Sequence, residues 1–167
     1  MKVTIKDLSD ENIDDHPCFK SGNERAVTMT KTWLTEVYTK FGPCVKVAYV
    51  NGKPVALVQY APMDIFPHVD KPDAHETILI HCIYTVDEKY KGKGIARKLV
   101  ESLVCDMKKP HRYLGGGRFK KIVALSGKKR LGPAGPVEFF RKVGFTEVRH
   151  VSEYDILVEK DLWPEEQ

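Results

Sequence analysis

Val3 and Ile5 alternate with Lys2, Thr4 and Lys6, which is the period of a half-buried strand. Ser9-Asp10-Glu11 then reads as a helix start with acids in its first turn, interrupted at Pro17, and Cys18 to Asn23 reads as a loop. From Glu24 to Tyr38 the period becomes helical. Ala26, Val27, Thr30, Trp33, Leu34 and Val37 recur at i, i+3, i+4 spacing, and Gly42-Pro43 supplies the stop. Two apolar runs follow, Val45 to Val50 and Pro54 to Tyr60, with Asn51-Gly52 between them. Both residues of a tight turn need positive φ, which Asn and Gly tolerate, so the pair predicts a hairpin. Pro62 to Ala74 holds Pro62, Pro67 and Pro72 and reads as a surface loop.

Glu76 to Val86 is the longest apolar run, and its lack of alternation predicts a strand covered on both faces. After a short charged segment comes a helix with Ile95, Leu99, Leu103 and Met107 on one side, flanked by Ala96, Val100 and Val104, and ended by Lys109-Pro110. His111 to Arg118, with Gly115-Gly116-Gly117, is a connector, and Phe119 to Ser126 is a further strand. Gly127 to Gly135 is a basic Gly/Pro-rich loop, Pro136 to Val143 a short helix stopped by Gly144, and two strands lie near Glu147–Val151 and Tyr154–Glu159. Nothing repeats and no composition shift marks a boundary, so residues 1–167 are expected to form one domain. The order of elements predicts a mixed α+β sheet with helices on both faces.

Composition narrows the class. At 167 residues, 42% hydrophobic and 30% charged, the chain has globular proportions and can bury one core. No apolar run nears the roughly 20 residues of a membrane span, and Met1 to Ile5 shows no apolar signal region. A net charge of +4 suits an anionic ligand without demanding one. The Lys/Arg-rich segment 108–130 is not interleaved with aromatics in a stacking pattern, so a nucleic-acid partner is not expected. Cys18, Cys44, Cys82 and Cys105 have no C-x-x-C spacing, and a disulfide framework would be unusual at this size, so the cytoplasm is the expected compartment. His68, His75 and His81 sit in no ligand spacing, and no metal is expected.

The strand-to-helix connection carries the strongest chemical signal. Gly92, Gly94 and Ala96 let backbone N–H groups approach an anion with no bulky side chain in the way, and the helix start adds unpaired donors. Lys91, Lys93 and Arg97 surround the same spot with positive charge. The pattern reads as a pyrophosphate cradle. A dinucleotide fingerprint fails here, because position 97 is Arg where a third glycine is needed and the next strand ends Ala124-Leu125-Ser126 without an acid. No G-x-x-x-x-G-K-[ST] occurs either.

Lys91-Gly92-Lys93-Gly94-Ile95-Ala96 resembles the [Arg/Gln]-x-x-Gly-x-[Gly/Ala] signature of the GNAT acyltransferases, and Glu138 to Phe145 is similar to that family's aromatic-pair, Lys, Gly-Phe segment. The resemblance implies a mostly antiparallel sheet that splays beside the cradle, and acetyl-CoA as cofactor. It further implies that the backbone of Tyr84, Thr85 and Val86 pairs with the pantetheine arm, with one strand amide available to an oxyanion. The amides of Gly92, Lys93, Gly94, Ile95 and Ala96 would take the pyrophosphate beside Lys91 and Arg97, with Phe140 and Lys142 at the adenosine end. The implied reaction is direct attack of an amine, from a small molecule or a peptide, on the thioester.

The residues themselves leave the base open among Glu76, His81, Cys82 and Tyr84. His81 has a suitable intrinsic pKa; Cys82 reads as a small buried hydrophobe more readily than as a nucleophile. By simple parity Ile78, Ile80, Cys82, Tyr84 and Val86 share one face, so His81 and Cys82 face one cavity only if a bulge intervenes. Two departures from the family pattern stand out. Phe140 occupies the place where many relatives carry a proton-donating Tyr, and Pro133 and Pro136 stand near positions of an Asn and an Ala. Phe140 is also the argument for an alternative, a CoA-binding sensor without turnover. The loops expected to wall the acceptor site, Cys18–Asn23, Pro62–His75 and Leu114–Arg118, contain Asp64, Asp70, Asp73 and His75, which would suit an amine. A second copy of the chain is a possible partner.

Overall fold

The computed structural model describes residues 1–20, 22–67, 73–128 and 134–166. His68, Asp70, Pro72 and Pro133, singled out above, lie outside the described residues. Seven strands form one sheet in the order β1-β2-β3-β4-β5-β7-β6. They are β1 (Val3–Asp7), β2 (Val45–Val50), β3 (Lys53–Pro62), β4 (Thr77–Thr85), β5 (Lys121–Gly127), β6 (Thr146–His150) and β7 (Asp155–Asp161). Every neighbouring pair is antiparallel except β4 and β5. Asn51 and Gly52 take positive φ (52° and 77°) at the β2–β3 turn, as the dipeptide predicts.

Three helices cover the sheet: α1 (Glu24–Lys40), α2 (Ile95–Met107) and α3 (Val137–Lys142). The predicted periodicities hold where they are used. Leu34 and Val37 are the buried residues of α1; Ile95, Leu99, Val100, Leu103 and Met107 are those of α2. The α2 face of the sheet is marked by Lys46, which is almost fully buried and bonds Asp106 of α2 and, at 2.8 Å, Asp7 of β1. Burial disfavours its charge, but the hydrogen bonds to Asp106 and Asp7 outweigh that and hold its pKa above the ordinary lysine value. The opposite face carries the N-terminal segment: His16, also buried, bonds Gln59 of β3 at 2.9 Å.

The helix expected from Ser9 does not form. The Asn12 side chain accepts the Ser9 amide at 2.7 Å and donates to the Asp7 carbonyl at 3.1 Å, so the chain closes into a turn. Only short 3-10 turns at Ile13–Asp15 and Pro17–Lys20 follow.

The strand pairing decides the shape of the site. β4 pairs with β5 only from Thr77 to Ile80, opposite Lys121 to Ala124, and then runs on alone to Thr85. The two strands therefore splay. Beyond Ala124, the β4-facing edge of β5 is taken by the chain leading into α3: the Ala134 amide donates to the Leu125 carbonyl (3.3 Å) and the Gly127 amide to the Gly135 carbonyl (2.9 Å). The free edge in the opening thus belongs to β4.

Candidate acyl-transfer site

The turn between β4 and α2 is built from its glycines. Gly92 (φ +71°) and Gly94 (φ +79°) are both left-handed, and a Cβ at either would meet nothing within 4 Å, so the space in front of them is open. Gly94 is the N-cap of α2. From Gly92 to Arg97 no main-chain amide finds a main-chain acceptor among the described residues; the first helical bond is Lys98 N–H to the Gly94 carbonyl. Unpaired donors at a helix start are an anion site. Lys91 reaches Glu88 at 2.6 Å, and Lys93 is exposed. Arg97 bonds Glu101 at 3.2 Å and the Lys142 carbonyl at 3.3 Å, which pins the first turn of α2 to the end of α3.

The opening beside β4 leads from this turn to a bulge. Gln59 pairs with Cys82 but Tyr60 pairs with Ile80, so His81 is the extra residue. Simple parity is thereby broken. Ile78, Ile80, Ile83 and Thr85 now lie on the α2 face, while Cys82 and Tyr84 lie on the α1 face opposite Gln59 and Leu57. His81 points to the same α1 face, since its ring meets Trp33 of α1 at 4.7 Å and Phe66 at 5.1 Å. The bulge is what lets His81 and Cys82 share one side. Along the strand edge the Val86 amide donates to the Val55 carbonyl at 2.9 Å. Antiparallel alternation then aims the peptide groups of Tyr84 and Val86 at β3 and those of Ile83 and Thr85 at the opening. Of the expected pantetheine-pairing stretch only Thr85 presents its peptide edge there, and Ile83, not singled out from sequence, joins it.

A model of the Acetyltransferase (GNAT) domain matches residues 33–147. The chain belongs to the GNAT acetyltransferase family. Similar solved structures include an N-acetyltransferase from Staphylococcus aureus Mu50, at 16% identity and TM-score 0.62 over 97% of this chain and 99% of that one. Another is a histone acetyltransferase HPA2 and related acetyltransferase from Corynebacterium glutamicum, at 12% identity and TM-score 0.65, covering 96% of each chain. A third is an IAA acetyltransferase from Bacillus cereus, at 17% identity and TM-score 0.54 over 96% of this chain and 99% of that one. At these identities the likeness is one of fold. Among curated proteins no sequence matches significantly.

As a GNAT acetyltransferase the chain is an acyltransferase, and its residues can be placed against that chemistry. Burial pulls the His81 imidazole down to about 4, so it is neutral at physiological pH. Its Nε2 is buried without a hydrogen-bond partner. An unpaired buried nitrogen is costly to a fold. Burial also pushes the Cys82 thiol up, with a smaller contribution from Cys18, to about 11. A protonated thiol is not the nucleophile, which disfavours an acyl-cysteine route. Tyr84 stands on the same face as Cys82 and is 43% exposed.

Phe140 does not line the opening. It is fully buried between Phe139 (5.2 Å) and Phe145 (5.1 Å), so its ring is core, whereas Lys142 is exposed. Replacing Phe140 by Tyr is therefore expected to destabilise the fold by about 1–3 kcal/mol, through an unpaired buried hydroxyl, with no gain in rate. A urea melt with an activity assay on Phe140→Tyr checks both halves. The acidic loop residues are committed elsewhere too. Asp64 accepts from Tyr113 (2.7 Å) and pairs with His75 (2.8 Å), and Asp73 pairs with Lys121 (2.5 Å). Among the described loops those carboxylates are structural clasps, each bonded to a side chain of another segment. Glu76 likewise pairs with Lys120 at 2.9 Å.

The low His81 pKa has a stability consequence. The unfolded chain binds this proton near pH 6.5 and the folded one only near 4, so stability falls as pH drops through that window. A shift of that size corresponds to about 3 kcal/mol. Urea midpoints measured from pH 7 to pH 4 should fall steeply in the wild type, and less steeply in His81→Phe.

Proposed function

We propose that the protein is an acetyl-CoA-dependent N-acetyltransferase acting by direct attack of an amine on the thioester. The observation that carries this reading is the run of acceptor-free amides from Gly92 to Arg97, opening onto the unpaired edge of β4. The open space before Gly92 and Gly94 fits a pyrophosphate, with Lys93 and Arg97 in reach of its charge. The peptide groups of Ile83 and Thr85 would pair with the pantetheine arm as an added strand would. Bound there, the cofactor would supply an activated acetyl group, the thioester C–S bond being given up for the amide C–N bond and the proton lost by the amine ending on the thiol.

The chain's own part is mostly positioning, which dominates reactions between two bound partners. Once the acceptor displaces the side chains that cover it, His81 Nε2 accepts a hydrogen bond from the amine and helps to aim the nitrogen lone pair at the acyl carbon. Tyr84, on the same face, passes its proton to the departing thiolate in place of the buried Phe140 and regains the one that the amine loses. All four cysteines are unpaired, which suits a reducing cytoplasm. No helix among the described residues is long and apolar enough to cross a membrane.

The test is a thermal melt with acetyl-CoA, CoA and NADH in parallel, followed by thiol release with an amine panel. At about a hundred times its dissociation constant a ligand adds about 2.7 kcal/mol, or a shift of about 5–10 °C in a chain of this size. Stabilisation by both CoA species but not NADH, with thiol release that needs an amine, supports the reading. No shift with either CoA species overturns it.

A further inference from the structure

The surroundings of His81 are unusual for a site that handles amines. Trp33, Phe66 and His81 form a triangle of rings, with centroids 4.7 Å (Trp33–His81), 5.1 Å (Phe66–His81) and 6.0 Å (Trp33–Phe66) apart. Trp33 and Phe66 are half-buried, so each keeps some accessible surface. The rings come from elements far apart in the chain: α1, the segment after Met63–Ile65, and the bulge of β4. Among the described residues burial alone sets the state of His81. The loop carboxylate Asp64 is clasped by His75 and Tyr113.

We propose that Trp33 and Phe66 are the specificity wall of the acceptor site, and that the acceptor is a primary amine carried on an aromatic body. This rests on the acetyltransferase reading above. A carboxylate beside the amine would favour the ammonium form, which has no lone pair to attack with. Ring faces attract an arriving ammonium weakly and do not hold it charged once the site closes over it. Trp33 and Phe66 touch each other, so no ligand ring fits between them. An aromatic body lies instead against their exposed sides, tilted or edge-on as such pairs prefer. The amine is then held on the His81 side of the wall without burying an unmatched charge. A polyamine or a lysine side chain offers less flat surface to this wall, and the polyamine brings additional charges with no partner.

The test compares 2-phenylethylamine with n-butylamine and spermidine as acceptors. The wild type is expected to prefer 2-phenylethylamine in kcat/KM by about 10-fold or more. Trp33→Leu, which keeps an apolar side chain and removes the rings, should bring that ratio near unity through KM. The melting shift given by acetyl-CoA should be unchanged. Equal or better use of spermidine or n-butylamine by the wild type, or a ratio unmoved in Trp33→Leu, overturns the proposal.

A second readout does not need turnover. The chain has two tryptophans, so Trp163→Phe leaves Trp33 as the sole emitter. With CoA present, 2-phenylethylamine should change that emission saturably and n-butylamine should not; no change overturns the wall. Loss of the acetyl-CoA melting shift, by contrast, is a failure of the acetyltransferase reading, and the emission experiment still decides the wall.

Discussion

Gly94→Glu is expected to weaken acetyl-CoA binding by about 100-fold or more, since a like charge set against a bound anion costs several kcal/mol. Gly94 caps α2 and faces open space, so the new side chain meets no clash: nothing lies within 4 Å of the Cβ position. Its carboxylate would stand among the amides of residues 92–97, where a diphosphate is proposed to bind. The left-handed φ of +79° adds a backbone cost of about 1–2 kcal/mol for Glu. Gly94→Asn separates the two effects, because Asn tolerates that conformation and brings no charge. Calorimetric titration should show a modest loss for Asn and a near-complete loss for Glu. Equal losses would mean that backbone strain, not anion exclusion, is responsible. Retained binding in a folded Gly94→Glu protein would remove the turn from the site.

The second large effect concerns His81 and has opposite signs in two measurements. His81→Phe keeps an aromatic ring against Trp33 and Phe66 but deletes the unpaired Nε2. Removing an unsatisfied buried polar atom should raise stability by about 1–3 kcal/mol. Removing the acceptor for the amine proton should lower kcat by about 100-fold. A histidine that served only packing would give the first change without the second. The pH profile adds a further check. With the imidazole near 4, the wild-type rate should show no ionisation near 6.5, and its rise with pH should follow the pKa of the acceptor amine. A limb at 6.5 that vanishes in His81→Phe would show that the buried state is not the working state.

Much of this site is legible in the chain before folding. Gly92 and Gly94 declare a left-handed turn, the apolar stripe of Ile95, Leu99 and Leu103 declares the helix behind it, and Asn51-Gly52 declares a hairpin. These are local signals: each depends on φ preferences or on a periodicity that neighbouring residues impose on one another. The anion cradle needs nothing more, because a helix start is an anion site by its own geometry.

The proposed base, the proposed acceptor wall and the burial of Phe140 belong to another order. The bulge at His81 arises from the register between β3 and β4, and no feature of Thr77–Thr85 alone announces it. Without it Cys82 and Tyr84 would face α2 with Ile80; with it they join His81 on the side of Trp33. The splay is likewise a matter of pairing, set by residues 134–136 capturing the edge of β5 beyond Ala124. Phe140 reads as a site residue in the motif and is core in the fold, since a short helix shows its pattern of burial only once Phe139 and Phe145 are packed around it. Asp64 and Asp73 look free in a loop and are clasped by Tyr113, His75 and Lys121. Local conformation is written residue by residue, whereas register, burial and the pairing of charges come from contacts between segments far apart in sequence.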